Sequence, residues 1–208
     1  MRSFLFLASI LFLSCQSPAE KGDVKASDID YQNLETATFA GGCFWCVEAS
    51  FEQIKGVASA VSGYSGGKKS TADYKLVSSG FTKHFEAVQV FYDPEVIDYN
   101  TLLDIFFTTH DPTQTNGQGN DIGPQYRSAI FYHNEEQLNQ AKAKIEELGP
   151  TFSKPIDTQL IEFKNFYDAE EYHQDYEKKN PNNPYIRAVS RPKIEKVAKR
   201  FKEILKDE

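Results

Sequence analysis

The start of the folded domain is decided by the stretch Gly41-Gly42-Cys43-Phe44-Trp45-Cys46-Val47-Glu48. It holds two of the three cysteines of the 208-residue chain and its single tryptophan. Residues 36–40 before it read as a strand, and apolar residues at positions 47, 51 and 54 recur at helical spacing after it. The sequence therefore predicts a strand that ends at two glycines and a helix that begins at Cys43.

The position of Cys43 predicts a reactive sulfur. Backbone N–H groups at the start of a helix lack intrahelical partners, and the helix dipole is positive there. Both effects favour a thiolate, which is the reactive form of cysteine. Because Cys46 follows three residues later on the same side of the helix, the pair suits a nucleophile with a resolving partner.

The amino-terminal residues predict export. Arg2 precedes an apolar run at residues 4–13, which is too short to span a bilayer but fits a secretory signal. Cys15 follows directly and is similar in placement to the cysteine that becomes lipidated in bacterial lipoproteins. We expect residues 1–15 to be a lipoprotein-type signal, and the protein to be membrane-anchored or periplasmic in the cell envelope. The alternative is an ordinary cleaved signal peptide in which Cys15 has no role.

Composition limits the remaining chain to a few classes of protein. Polar residues 16–35 predict a flexible tether, so that one folded domain occupies residues 36–208. The net charge of −7 argues against a nucleic-acid partner. With Cys15 lipidated, only Cys43 and Cys46 remain, which is too few for a stabilising disulfide framework. The four histidines are scattered without metal-ligand spacing, so we expect no metal.

Periodicity and capping residues predict mixed α and β structure. Strands are expected at residues 57–64, 85–92, 125–133 and 160–163, with a glycine-rich loop at 116–124. Helices are expected to begin at Asp98, Asn134, Asp168 and Pro192, the third ending near residue 177 and the last continuing through Leu205. This order favours an α+β domain, a two-layer α/β plait with a ferredoxin-like mixed sheet and flanking helices.

Motifs spread over residues 39–184 resemble, in order and spacing, the A-type peptide methionine sulfoxide reductases. Besides the stretch from Gly42 to Cys46, the matching segments are Gly63-Tyr64-Ser65-Gly66-Gly67, the surroundings of Tyr74, His84-Phe85-Glu86-Ala87-Val88, His110-Asp111-Pro112 and Gln118-Gly119-Asn120-Asp121-Ile122-Gly123-Pro124-Gln125-Tyr126-Arg127-Ser128. The resemblance implies an enzyme that reduces methionine S-sulfoxide, in proteins, in peptides or free, and so repairs oxidative damage.

The resemblance assigns roles to particular residues. Cys43 corresponds to the nucleophile, and Glu86 corresponds to the proton donor. Glu86 lies on the apolar face of the predicted strand 85–92, where burial raises a carboxyl pKa and keeps the group protonated. The resemblance places Tyr74, Asp121 and Tyr126 where the family hydrogen-bonds the sulfoxide oxygen or orders the site.

The two aromatic residues between the cysteines predict the methyl-binding surface. Phe44 and Trp45 can form an apolar cage for the S-methyl group, since sulfur beside an aromatic ring is a favourable contact. Alternatively, one of them is an ordinary core residue. Few contacts to the peptide backbone of the substrate are expected, so that many oxidised proteins or peptides could serve as substrate. We expect the protein to be a monomer.

The absence of any cysteine after Cys46 limits how the enzyme can be recycled. Many relatives have glycine at position 46 and resolve with cysteines near the carboxyl terminus, where this chain has Tyr185-Ile186. Attack would leave a sulfenic acid on Cys43, which Cys46 converts to a disulfide. An external dithiol, thioredoxin by the resemblance, then reduces that disulfide, and no bound cofactor is required.

Two other functional classes fit part of the pattern. A general thiol–disulfide oxidoreductase of the envelope also carries two cysteines separated by two residues after a strand. Phe44 and Trp45 between the cysteines argue against it, because thioredoxin-like proteins usually have proline or glycine there. A non-catalytic envelope lipoprotein that binds peptides through aromatic residues is the third possibility.

Overall fold

A computed structural model describes residues 32–207, so the predicted signal, Cys15 and most of the tether lie outside the described residues. The strands are β1 Glu35–Gly41, β2 Val57–Ser65, β3 Phe85–Tyr92, β4 Gly117–Gln118, β5 Asp121–Ile122, β6 Ser128–Tyr132, β7 Gln159–Glu162 and β8 Phe166–Asp168. The helices are α1 Phe44–Glu52, α2 Tyr74–Ser78, α3 Tyr99–Thr109, α4 Glu135–Leu148, α5 Tyr176–Lys179 and α6 Arg191–Arg200.

Six of these strands form one mixed sheet in the order β7-β6-β1-β3-β2-β8. Strands β6 and β7 pair in parallel, and every other pair in this sheet is antiparallel. The sequence of elements β1-α1-β2-β3-α3-β6 gives the central order β6-β1-β3-β2, which is that of a ferredoxin-like plait. The predicted α+β plait is therefore confirmed.

The larger core lies between the sheet and helices α1 and α3. Phe39 of β1 is fully buried, and its ring stacks on those of Phe51, Tyr99 and Phe106 at centroid distances of 5.3, 6.0 and 4.9 Å. Burying one such ring contributes about 2 kcal/mol relative to leaving it exposed. This packing fixes the end of β1, and with it the position of Cys43, against the start of α1.

Two predicted caps are confirmed. Asp98 accepts a hydrogen bond from the backbone N–H of Thr101 at 2.7 Å, and α3 follows directly. Asn134 accepts one from the N–H of Gln137 at 2.8 Å at the start of α4. Each side chain satisfies a donor that the helix itself leaves without a partner.

The prediction of a helix starting at Asp168 is wrong. Asp168 ends β8, which pairs with β2 on the side that β3 leaves open, and the N–H of Ala169 donates to the carbonyl of Ser62 at 2.9 Å. The side chain of Gln174 holds the same segment by bonding both the N–H and the carbonyl of Ser62. Pairing with a free sheet edge therefore overrides the local capping pattern, and the helix, α5, begins only at Tyr176.

Two further boundaries differ from the prediction. Strand β6 begins at Ser128 because residues 124–126 form a single helical turn, tied down where Gln125 donates to the carbonyl of Ser78 at 3.2 Å. The predicted loop before that turn contains the short strands β4 and β5. The last helix ends at Arg200 rather than continuing to Leu205, because the chain turns to form a bridge between Leu205 and Ile54.

Within residues 32–207, no helix combines the length and the apolar character that crossing a bilayer requires.

Candidate active site

The turn between β1 and α1 fixes where Cys43 lies. Gly42 has φ +95°, and a side chain there would bring its Cβ to 2.8 Å from the Cβ of Gln118. Gln118 is itself held by two hydrogen bonds to the backbone of Asp111, at 3.1 and 2.8 Å. The chain can pass this point only with glycine at position 42, and Cys43 follows as the residue that caps α1, as predicted.

Glu86 lies opposite the start of α1. Its Oε2 accepts a hydrogen bond from the backbone N–H of Phe44 at 3.2 Å, and the residue is only 2% exposed. Burial raises the pKa of this carboxyl to about 8, against the opposing effect of the hydrogen bond from Phe44. Glu86 is therefore protonated at neutral pH, which agrees with its predicted environment.

The expectation that Cys43 is a thiolate is wrong for this state. Cys43 is 6% exposed, and burial raises the pKa of its thiol above the ordinary value. The helix start cannot compensate, because the N–H of Phe44 donates to Glu86 and that of Cys46 donates to the carbonyl oxygen of Cys43 at 3.2 Å. The resting Cys43 is therefore a thiol.

Cys46 has the opposite electrostatic environment. Interaction with Cys43 lowers the pKa of Cys46 despite burial, and Lys193 and Ser190 lower it further. The Sγ of Cys46 lies 3.0 Å from the Oγ of Ser190. Burial raises the pKa of Cys43, whereas Lys193 and Ser190 lower that of Cys46, so the surroundings favour negative charge on Cys46 over Cys43.

The structure brings Tyr74 and Tyr126 to the same place as Cys43 and Glu86. Burial raises the pKa of Tyr74 to about 12, and negative charge on Glu86 or Cys43 raises it further. Burial, and then negative charge on Glu86, also raise the pKa of Tyr126. Both hydroxyls therefore remain protonated and can donate hydrogen bonds beside the thiol.

Asp121 is placed by a residue that sequence reasoning missed. Its Oδ2 accepts a hydrogen bond of 2.6 Å from the hydroxyl of Tyr185, whose side chain also interacts with Cys43 and lowers the pKa of that thiol. Tyr185 thus joins Asp121 to the reactive sulfur. The available signal was positional, since Tyr185 stands in the region where many relatives have a cysteine.

The two aromatic residues at the start of α1 occupy different environments. Phe44 is 1% exposed and packs against the rings of Tyr64 and His173, which makes it a core residue. Trp45 is only partly buried and stacks on Tyr176 at 3.8 Å between ring centroids. Only Trp45 therefore presents a ring face near the surface of the site.

His173 and Glu170 support this aromatic wall, and neither was predicted. The indole N–H of Trp45 donates to Nδ1 of His173 at 3.1 Å, so the neutral imidazole carries its proton on Nε2. Glu170 accepts hydrogen bonds from the backbone N–H of Tyr74 at 2.9 Å and from the hydroxyl of Tyr64 at 2.8 Å. These contacts come from the segment after β8, far along the chain, so no local pattern points to them.

No three His, Cys, Asp or Glu side chains in the described part of the chain are grouped so that they could hold a metal ion. The chemistry available among these residues is that of a thiol pair, a neutral carboxylic acid and two phenols.

Comparison with known proteins identifies the family to which this site belongs. The family model described as Peptide methionine sulfoxide reductase matches residues 35–205. The chain belongs to the peptide methionine sulfoxide reductase family. Peptide methionine sulfoxide reductase MsrA of Thermus thermophilus is 52% identical over 172 residues, which cover 83% of this chain and 98% of the relative.

Solved structures of the family share the fold. The reduced form of Mxr1 from Saccharomyces cerevisiae is 40% identical with a TM-score of 0.71, covering 74% of this chain and 90% of that one. Mxr1 in complex with Trx2 is 28% identical with a TM-score of 0.50, covering 76% and 91%. The predicted family is confirmed, and with it methionine sulfoxide reduction as the activity. Neither a thiol–disulfide oxidoreductase nor a peptide-binding lipoprotein accounts for this match.

Proposed function

We propose that Cys43 attacks the sulfur of methionine S-sulfoxide while Glu86 protonates the departing oxygen. The attack forms a bond between the two sulfurs, and the sulfoxide oxygen leaves as water with one proton from Glu86 and one from the thiol. Water then attacks the Cys43 sulfur, the bond between the sulfurs breaks to release the thioether, and Cys43 becomes a sulfenic acid. The observation that carries this proposal is the protonated, buried carboxyl of Glu86 at the same helix start as Cys43. A carboxyl that is neutral at pH 7 can act as a general acid.

The first step requires the proton of Cys43 to leave as the sulfur attacks. Cys46 interacts with that thiol and can accept its proton. Tyr74 and Tyr126 can donate hydrogen bonds to the sulfoxide oxygen as negative charge grows on it. Asp121 acts through Tyr185, whose hydroxyl it orients.

Trp45 is the residue that we assign to the S-methyl group. Its ring is partly exposed and is held by Tyr176 on one face and by His173 at the indole nitrogen. An aromatic ring held in one orientation provides a favourable contact for sulfur and methyl groups. The buried Phe44 supports the wall from beneath rather than contacting substrate. The substrates are oxidised proteins and peptides as well as free methionine sulfoxide.

Recycling proceeds through Cys46 and an external dithiol. Cys46 lies one turn from Cys43, with its backbone N–H bonded to the Cys43 carbonyl, and a Cys43–Cys46 disulfide is then reduced by exchange. The yeast relative captured with Trx2 supports a thioredoxin as the reductant here. That the protein works as a monomer stays a prediction.

The decisive experiment is intact-mass analysis after one equivalent of methionine sulfoxide. We expect a loss of two hydrogens, mapped by peptide analysis to Cys43 and Cys46, together with one equivalent of methionine. Cys43→Ser should form no methionine. Reduction of insulin disulfides without any sulfoxide turnover would reject the proposal in favour of a general oxidoreductase.

We further propose that the enzyme is exported and attached to a membrane through lipid on Cys15. The support is the sequence alone, namely Arg2, the apolar run at residues 4–13 and the cysteine directly after it. Lipid on this residue would hold the domain at a bilayer through the tether at residues 16–35. Cys15→Ser should move the protein from the membrane fraction to the aqueous fraction. An unmodified Cys15, or one removed with the signal peptide, would contradict the anchor.

A further inference from the structure

The carboxyl-terminal helical segment reaches the active site at Cys46. A π-helical turn, Ile186–Ser190, leads directly into α6, which packs against α1. Such turns are rare and frequently occur at functional sites, because one extra residue reorients the side chains around it. Here the turn ends at Ser190, whose Oγ lies 3.0 Å from the Sγ of Cys46, and both residues are almost fully buried.

The first turn of α6 brings an ammonium group into the same region. The Nζ of Lys193 is shielded from solvent and hydrogen-bonds no partner among residues 32–207. A buried charge without compensation is costly, so that an anion nearby is strongly favoured. Lys193 acts electrostatically on Cys46, in the direction that favours its thiolate.

The other groups that face Cys46 do not offer the same stabilisation. Asp121 and Glu86 are acidic, and negative charge on either opposes a thiolate. Tyr185 interacts electrostatically with both sulfurs, and its hydroxyl is committed to Asp121. Once Cys43 has become a sulfenic acid, it no longer offers its thiol proton to Cys46. Ser190 and Lys193 are then the groups left to hold the thiolate.

We propose that Ser190 and Lys193 are positioning residues for the resolving step, holding Cys46 as the thiolate that attacks the Cys43 sulfenic acid. The sulfur–sulfur bond forms as the sulfur–oxygen bond of Cys43 breaks, and the oxygen leaves as water with one added proton. The thiolate sulfur is oxidised and the sulfenic sulfur is reduced, so no further oxidant is required. The carboxyl-terminal segment thus supplies a hydroxyl and an ammonium to Cys46. This inference rests on the proposed function.

The test compares two rates in the same quenched sample, with the full chain reacted with one equivalent of methionine sulfoxide. Methionine formation and loss of the Cys43 thiol report the first step, and loss of the alkylatable Cys46 thiol reports the Cys43–Cys46 bond. We expect Lys193→Met to lower the ratio of the second rate to the first. Loss of a nearby opposite charge raises a thiol pKa by about one unit or more, which reduces the thiolate at pH 7 by roughly five- to tenfold. Ser190→Ala should lower the ratio in the same direction.

Controls separate this role from a structural one. Lys193→Arg should restore the ratio, and Lys199→Met, an exposed lysine of the same helix, should leave it at the wild-type value. In the unmodified protein, the second rate should reach its plateau by about pH 9, whereas an ordinary thiol with a pKa of about 8.5 would still be ionising there. Lys193→Met should move that plateau to higher pH. The pH profile of the second rate is measured on the wild-type protein, so this part of the test does not depend on whether a variant folds.

The results that would overturn this inference differ from those that would overturn the proposed function. A wild-type ratio in both Lys193→Met and Ser190→Ala, or a wild-type second rate still rising at pH 9, would remove the assigned role of the carboxyl-terminal segment. Methionine would still form in those cases, and the proposed function would stand. Absence of methionine from the wild-type reaction would reject the proposed function itself.

Discussion

Replacing Glu86 with glutamine should stabilise the fold and abolish activity through the same physical cause. The pKa of Glu86 lies at about 8 in the folded protein, against 4.5 for an ordinary glutamate. The pKa of Glu86 is higher in the folded than in the unfolded protein, so its protonation favours the folded state. This contribution to the free energy of unfolding is complete below pH 4.5 and is lost as the pH rises towards 8. Because each pH unit corresponds to about 1.4 kcal/mol, the full loss is about 5 kcal/mol.

Glutamine keeps the shape of the side chain and an oxygen for the N–H of Phe44, but it does not titrate. The free energy of unfolding of Glu86→Gln minus that of the wild type should therefore rise by about 3 kcal/mol from pH 5 to pH 7. Urea unfolding at several pH values measures this difference directly. At the same time, methionine formation should fall by about 10²–10⁴-fold, since an amide cannot transfer a proton to the leaving oxygen.

Glu48 provides a matched control from the same core. It is buried to a similar extent, and burial raises its pKa to about 9, but it faces Asp175 and Ser62 rather than the sulfurs. Glu48→Gln should show a similar gain in stability between pH 5 and pH 7 while methionine formation continues. If the Glu86→Gln difference were constant across this range, Glu86 would be ionised in the folded state and could not serve as the acid. A Glu86→Gln variant that lost activity without the gain in free energy of unfolding would likewise indicate that Glu86 is ionised in the folded protein.

Three further predictions follow from the site and the core. Cys46→Ser should produce one equivalent of methionine but no thioredoxin-driven turnover, and continued cycling at the wild-type rate would exclude Cys46 as the resolving residue. Trp45→Ala should raise the KM for methionine sulfoxide more than it lowers kcat, because the ring contacts the methyl group; an effect on kcat alone would contradict this role. Phe39→Ala, which removes a fully buried ring stacked on three others, should lower the free energy of unfolding by about 3–5 kcal/mol in a denaturation experiment.

Those parts of the site that depend on local sequence were predictable. Two glycines between a strand and a helix indicate the turn that places Cys43. Glu86 shares one face of β3 with Val88, Val90 and Tyr92, whose apolar character indicates that this face is buried. Both signals arise within about ten residues, where the periodicity of a single element decides which side is buried. The caps at Asp98 and Asn134 are local in the same sense.

Features that depend on distant segments were not predictable from the same patterns. The capping pattern at Asp168 was overridden because β2 offered a free edge to the chain arriving after β7. Tyr185 and His173 reach the site only because the segment after β8 folds back over α1. Long-range packing brings these residues to the site, and the spacing of residues within their own segment does not predict these contacts.

The protonation state of Cys43 illustrates the same limit in electrostatic terms. A helix start favours a thiolate, but its contribution is typically 0.3–1 kcal/mol at exposed sites. Full burial of a charge costs more than that, and here the carboxyl of Glu86 also occupies the first N–H of α1. Burial therefore outweighs the helix start and keeps Cys43 protonated. The size of this effect depends on how deeply tertiary packing encloses the sulfur.

The two steps of the reaction make opposite demands on protonation, and the fold separates them in space. Departure of the sulfoxide oxygen requires a neutral acid, which burial on β3 supplies at Glu86. Resolution requires a thiolate, and the groups that stabilise it, Ser190 and Lys193, approach Cys46 from the carboxyl-terminal segment. A lysine beside Glu86 would ionise the acid, and a fully apolar site around Cys46 would leave it a thiol. Placing the two sulfurs one helical turn apart lets each lie in the environment that its own step requires.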